Sequence, residues 1–246
     1  MYAGDGVRPR LGVRAIRGRL MAYLQQVATI FAKDLRAELR TKEAINASLS
    51  FALVVLLLFS FAFDPSEETT REISGGLLWI VFAFAGTLLL NRSFARELGN
   101  DCLDALISAP IPGSALFLGK AFANFVLVMA VELIALPLFG IFYNVRWTSQ
   151  FWQLMLVVVL GTWAMTVTGT IFSALTVNIR LREVMLPILN FPILIPALLG
   201  AMQLTSALVA GKPITADNDA WLKMLIGFDV MYTAVSVFLV ETVLVG

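Results

Sequence analysis

Six stretches of this chain are long and apolar enough to cross a lipid bilayer, and nothing else in the sequence constrains the fold as strongly. They are Ala44–Phe63, Ser74–Leu90, Ala121–Tyr143, Gln150–Thr176, Val184–Ala210 and Leu222–Val245. A spanning helix needs about 20 mostly apolar residues. Inside lipid every backbone N–H and C=O must be satisfied by protein, so uninterrupted runs of this length are helical. The expected class is an all-α integral membrane protein with six transmembrane helices. Composition agrees, since only 14% of the 246 residues are charged, against about 25% in a soluble domain. That length accommodates one membrane domain over residues 44–246, with no separate soluble domain. The Arg-rich start has its first apolar run too late for a cleavable signal peptide, so none is expected.

Lysine and arginine are shared unevenly between the two sides. Nine precede the first window; Arg92, Arg96 and Lys120 follow the second; Arg180 and Arg182 follow the fourth. The opposite side carries only Arg71, Arg146, Lys212 and Lys223. Cationic loops stay in the cytoplasm, so both termini, the 90–120 loop and the 178–183 loop are expected there. The net charge of +1 lacks the basic footprint of a nucleic-acid partner. Histidine is absent, which removes the usual general base, the commonest metal ligand and the usual axial ligand of haem iron. Met and Cys remain as iron ligands in principle, although Met in an apolar chain is chiefly a packing residue. With a single cysteine, Cys102, no internal disulfide forms. No paired-carboxylate or zinc signature marks an enzyme.

Residues 1–20 read as a basic N-terminal segment, open to disorder. Residues 21–43 read as an amphipathic helix in the headgroup plane: Leu24, Val27, Phe31, Leu35 and Leu39 fall at helical spacing, with Lys33, Arg36 and Arg40 on another face. It is either a topology anchor or an elbow framing a mobile bundle. The loop "LNRSFARELGNDCLDALISAPIPGSALFLGK" is more specific. Its residues Arg92–Ser108 are expected to form about four helical turns, stopped by the prolines of Ala109-Pro110-Ile111-Pro112-Gly113. Phe94, Leu98, Leu103 and Leu106 supply an apolar set; Arg92, Arg96, Glu97, Asp101 and Asp104 supply charge. A solvated connector explains the charges but not the apolar set, which suits a helix lying in a partner's groove.

Glu132 lies mid-span in the third window and Asp229 lies about two turns into the sixth, whereas Glu241 reaches the inner headgroups. A charge at the bilayer centre costs at least about 2.5–3.5 kcal/mol on insertion scales. Glu132 should therefore be protonated, paired or facing a polar interior, as a satisfied interhelix bond or as a pathway residue. Pro187, Pro192 and Pro196, with Asn190, suggest a kinked fifth span lining a dimer interface or a cavity. Kinks are also ordinary in membrane helices.

"LNRSFARE…CLDALISAP…LGKA", "NIRLREVMLPILNFPILIPALLGA", "AKDLRAELRTKE", "SGGLLWIVFAFAGTLLLNRSF" and "WLKMLIGFDVMY" together resemble the cytochrome c maturation protein B (CcmB) family. These are permease subunits of ABC-type haem exporters. The resemblance covers about residues 27–246 and departs at Asp101, where the family often has Gly. It implies an exporter permease of the ABC-2 type in the bacterial plasma (inner) membrane. It implies a homodimer docked on two cytoplasmic ATPase subunits, working with a haem-handling membrane protein and a haem chaperone. The loop helix would be the coupling helix, with Phe94, Arg96, Glu97, Leu98, Asp101, Leu103 and Leu106 at the ATPase contact and Arg180, Arg182 and Glu183 in the second cytoplasmic loop. No G-x-x-x-x-G-K-[ST] phosphate loop is present, since "PGSALFLGKA" lacks the hydroxyl and the first glycine at the required spacing. ATP and Mg are thus expected on the partner chain, haem is handled by the complex, and this chain holds no cofactor of its own. The alternatives are a generic exporter permease for a lipid, polysaccharide or drug, and a non-transporting scaffold.

Overall fold

The computed structural model of the chain describes residues 10–63, 68–95, 97, 111–145, 148–177 and 179–245, with side chains described from 16, from 73 and up to 242 at helix ends. Among the described residues the chain forms helices α1 (Arg10–Thr41), α2 (Glu43–Ala62), α3 (Glu68–Leu90), α4 (Gly113–Phe142), α5 (Phe151–Thr176), α6 (Arg182–Val209) and α7 (Asp219–Val245). α2 to α7 hold the six segments long and apolar enough to span a membrane. The protein is an all-α, multi-pass membrane protein.

Burial ranks the helices. The spanning window of α5 is 72% buried and that of α2 only 22%, so α5 is central and α2 peripheral. α5 can be central because its side chains are small or self-satisfied. Its threonines turn their hydroxyls back to their own helix, with Thr168 donating to Ala164 O at 2.8 Å and Thr176 to Phe172 O at 2.8 Å. A buried hydroxyl bonded in this way needs no partner from another helix.

Between helices of a bilayer there is little hydrophobic drive, so small residues that permit close approach matter most. A Cβ on Gly75 of α3 would lie 2.7 Å from the Ser206 backbone nitrogen of α6, so these two backbones touch directly. Gly161 of α5 faces the ring of Trp79, which is fully buried and donates from Nε1 to Thr205 Oγ1 at 2.9 Å. Trp79, Phe82, Val128, Met165, Leu204 and Phe228 belong to one continuous core drawn from α3 to α7.

Two boundaries differ from the sequence expectation. α1 starts at Arg10 rather than near residue 21. α4 starts at Gly113 rather than at Ala121, with Pro112 at its N-cap in an extended conformation (φ −56°, ψ 135°). Proline is well placed ahead of a helix, where its missing N–H costs nothing. Lys120 had set the expected edge of the third span, yet it is wholly buried one helical stretch inside α4. The corner between α1 and α2 is a single left-handed residue, Lys42 (φ 57°). There the Glu38 carboxylate accepts the backbone N–H groups of Ala44 (2.8 Å) and Ile45 (3.0 Å), capping α2 from the preceding helix.

Candidate functional site

The base of the 90–113 loop is where charge is concentrated inside the fold. After α3 the backbone tightens: Arg92 N–H bonds Leu89 O, Ser93 N–H bonds Leu90 O and Glu97 N–H bonds Phe94 O, all three residues back. At Arg92 and Ser93 and at Glu97 these are tight turns, and the rest of the helix expected over Arg92–Ser108 lies outside the described residues. The turns point Phe94 and Glu97 inward. Phe94 is fully buried against Ala174 and Val177 at the end of α5, with the Lys120 ammonium 4.8 Å from its ring centre. Glu97 accepts from Lys120 at 2.9 Å and from Lys33 at 2.5 Å. Lys120 also reaches Asp34 of α1 at 2.9 Å and Ser93 O at 3.0 Å. Beside it, Asn124 donates to Ser93 Oγ at 2.9 Å and to Thr170 Oγ1 at 2.8 Å. One lysine from α4 thus joins α1 and the loop, and one asparagine joins the loop to α5. A small cavity of about 210 Å³ opens beside the cluster, bordered by Lys33, Asp34, Ser93, Glu97 and Asn124.

A fully buried ammonium is tolerated only when paired and hydrogen-bonded. Lys120 has two carboxylates and a carbonyl. Burial alone would push the Glu97 carboxyl up. The charge of Lys120, hydrogen bonds from both lysines and the charge of Lys33 outweigh it, holding Glu97 below its ordinary value of 4.5. Burial pulls Lys33 down, but its hydrogen bond to Glu97 and the charges of Asp34 and Glu97 hold it above 10.5. A depressed carboxyl contributes stability above its unfolded value and loses it as pH falls through the folded one. A raised lysine contributes below its unfolded value and loses it as pH rises through the folded one. The cluster is therefore expected to hold from about pH 5 to pH 10. A spin-label distance between Thr29 on α1 and Phe122 on α4 should stay narrow across that window and broaden only in stronger acid or base. Broadening already between pH 6 and 7 would contradict this ion-pair assignment.

Of the residues expected at a partner contact, Phe94 and Glu97 face into the fold instead. The physical reason is that each has a better partner inside: an aromatic ring beside a buried cation, and a carboxylate between two lysines. Arg96, Leu98, Asp101, Leu103 and Leu106 lie outside the described residues. The second loop comes up against the first: Arg182 and Glu183 share a cleft of about 540 Å³ with Asn91, Arg92 and Ala95, and Asn91 Nδ2 reaches Glu183 O at 3.5 Å. Pro187 has no N–H to give to Glu183 O, four residues back, so this carbonyl is free to accept. Arg180 is exposed and lines an adjoining cleft that shares Arg182 and Glu183. Arg92 also pairs with Glu43 of α2 at 2.8 Å on the surface.

Glu132 is buried in α4 and hydrogen-bonded to the Thr162 hydroxyl of α5, which is also within 2.6 Å of Val158 O. Asp229 and Asn190 are buried too, and their side-chain polar atoms have no hydrogen-bond partner among the described residues. Among the described residues no hydrogen bond joins these three side chains to one another or to the charged cluster. Among the described residues no three His, Cys, Asp or Glu side chains converge as a metal site would require.

Sequence reasoning did not single out Lys33, Asp34, Ser93, Lys120, Asn124 and Thr170 as a constellation. One signal was available. Lys120 and Asn124 are one turn apart at the start of an apolar run, and Lys33-Asp34 interrupts the apolar stripe of α1. Polar residues at helical spacing beside an otherwise apolar face mark a buried polar seam.

A bundle of six apolar helices long enough to span a membrane, with α1 tied to one end of it by a cluster of buried charges, defines a polytopic helical membrane protein. The chain belongs to the CcmB protein family, whose model matches residues 25–245. It is 33% identical over 175 residues to heme exporter protein B of Rhodobacter capsulatus, covering 71% of this chain and 80% of that one. It is 30% identical over 196 residues to heme exporter protein B of Escherichia coli K12, covering 80% and 87%. The Paracoccus denitrificans protein of the same name is 29% identical over 185 residues, covering 75% and 84%.

Proposed function

We propose that this chain is the membrane subunit of an ATP-driven complex that handles haem for cytochrome c maturation. Its family membership, with relatives named as heme exporters, is the observation that carries the reading. The missing phosphate loop supports a division of labour: a cytoplasmic ATPase subunit binds ATP and Mg, and this subunit converts nucleotide-driven closure into movement within the bilayer. A second copy of the chain, a haem-handling membrane protein and a haem chaperone complete the complex. ATP hydrolysis then releases the haem-loaded chaperone or exports haem. The protein lies in the bacterial inner membrane with both termini in the cytoplasm, as its lysine and arginine distribution favours.

In this reading the loop has two parts. Arg96, Leu98, Asp101, Leu103 and Leu106 are offered to the ATPase, and Arg180, Arg182 and Glu183 flank that contact. Phe94 and Glu97 root the loop in the bundle. Glu132, Asp229 and Asn190 are polar positions within the spans that a transport step could use.

Affinity purification from native membranes tests the proposal. A tagged chain should bring down an ABC ATPase subunit, an untagged copy of itself and the haem-handling protein, and ATP should release haem-loaded chaperone. Recovery of the chain without an ATPase would sink the coupling role. ATP-driven movement of a lipid, polysaccharide or drug, with no chaperone bound, would favour the generic exporter.

A further inference from the structure

Lys120 ends the "LGK" of the loop sequence, a motif that no phosphate-binding role explains. The two residues act in sequence. Gly119 lets α1 lie directly on α4: a Cβ there would sit 2.7 Å from Ile30 Cβ and 3.0 Å from Val27 O. That closeness brings Asp34 within reach of the next residue. Lys120, itself fully shielded from solvent, then bonds Asp34 of α1, Glu97 of the loop and the carbonyl of Ser93, all at 2.9–3.0 Å. Among the described residues, the other ion pair between α1 and the loop is Lys33 with Glu97, and the Lys33 side chain is 45% exposed and therefore more weakly held.

We infer that Lys120 is a positioning residue for energy coupling: it locks the elbow helix and the root of the loop to α4, so that a push on the loop moves all three as one body. The inference rests on the ATP-driven reading above. Converging on one fully buried ammonium, the three charge-assisted bonds resist separation more than exposed pairs do. Removing the ammonium leaves the two carboxylates with only the half-exposed Lys33 between them, and α1 loses its ionic tie to α4 and, among the described residues, is held to the loop by that exposed pair alone.

The test uses the whole complex in nanodiscs, with Cys102→Ser and spin labels at Thr29→Cys and Phe122→Cys, comparing Lys120 with Lys120→Met and Lys120→Arg. With Lys120 present, the α1–α4 distance should be narrow and unchanged by ATP with vanadate. Lys120→Met should broaden it and lower haem-loaded chaperone released per ATP hydrolysed by about tenfold, within the span of ordinary coupling free energies. Lys120→Arg, which keeps the charge, should restore the narrow distance and most of the yield. A narrow distance in Lys120→Met, or an unchanged release per ATP in an assembled complex, overturns the inference. If Lys120→Met does not assemble, Asp34→Asn cuts the α1 arm alone and is judged by the same two readings. If the labelled chain carries no ATPase, the functional reading fails. The distance measurement on the chain alone then still decides whether Lys120 holds α1 to α4.

Discussion

Gly161→Ala is expected to destabilise the protein by about 2 kcal/mol, in the middle of the range for overpacking a core, although the same change in an open helix stabilises by about 1 kcal/mol. The new Cβ would press on Cη2, Cζ3 and Cζ2 of Trp79, the last at 2.9 Å. Far ends of flexible side chains can move away from such a contact, but this ring cannot. It is fully buried, lies edge-on to Phe82 with ring centres 5.7 Å apart, and is held by its bond to Thr205. Sliding the indole aside breaks that bond and leaves two buried polar groups unpaired, a cost of about 1–3 kcal/mol. A double-mutant cycle isolates the cause. In a Trp79→Phe background the outer ring atoms are gone, so Gly161→Ala should become neutral or stabilising in the thermal midpoint of the detergent-solubilised protein. An equal loss in both backgrounds would mean that the clash with Trp79 is not the reason.

Gly161 also illustrates what can be read from the sequence and what cannot. The fourth span was legible almost to the residue: Gln150–Thr176 was expected and α5 is Phe151–Thr176, because bilayer thickness and backbone hydrogen bonding leave a long apolar run no other structure. Which glycine meets which ring was not legible, since that depends on how α3 and α5 are rotated about their axes. Rotation also decides which face of α1 packs on the bundle. Its expected stripe ran from Leu24 to Leu39, both of which are about half exposed, whereas Ile30 and Glu38 are buried. The packed face turned toward Asp34 and Glu38 because Lys120 and the open N-terminus of α2 reward acidic partners there. Lys120 was counted as a loop charge because hydropathy treats every lysine as solvated. Its burial depends on Asp34 and Glu97, which lie 86 and 23 residues away. The inward turn of Phe94 and Glu97 has the same origin.

At Glu132 the charge of the substitute, more than its size, should decide the outcome. Glu132→Gln is expected to keep the membrane level of the protein within about twofold, since an amide differs little from a neutral carboxyl in transfer cost. Glu132→Lys should lower it by about tenfold or more, given about 2.5–3.5 kcal/mol for a lysine at the centre of a spanning helix. The side chain sits in the middle of α4, buried, with the Thr162 hydroxyl as its hydrogen-bond partner. The α4 lysine, Lys120, lies twelve residues back along the helix, about 18 Å at 1.5 Å per residue, too far to pair with it. A carboxylate at this depth would be uncompensated, whereas a carboxylic acid or an amide keeps the bond to Thr162. The amide has an N–H donor and a carbonyl acceptor, so either direction of that bond remains available. An ammonium has only donors, no anion in reach along α4, and a volume that the packed α4–α5 contact has no room for. Immunodetection of both variants in isolated membranes, with thermal midpoints for whichever accumulate, provides the comparison. If Glu132→Lys accumulates as well as Glu132→Gln, water or an anionic partner reaches mid-span, and Glu132 then belongs to a hydrated path through the bundle instead of to its packing.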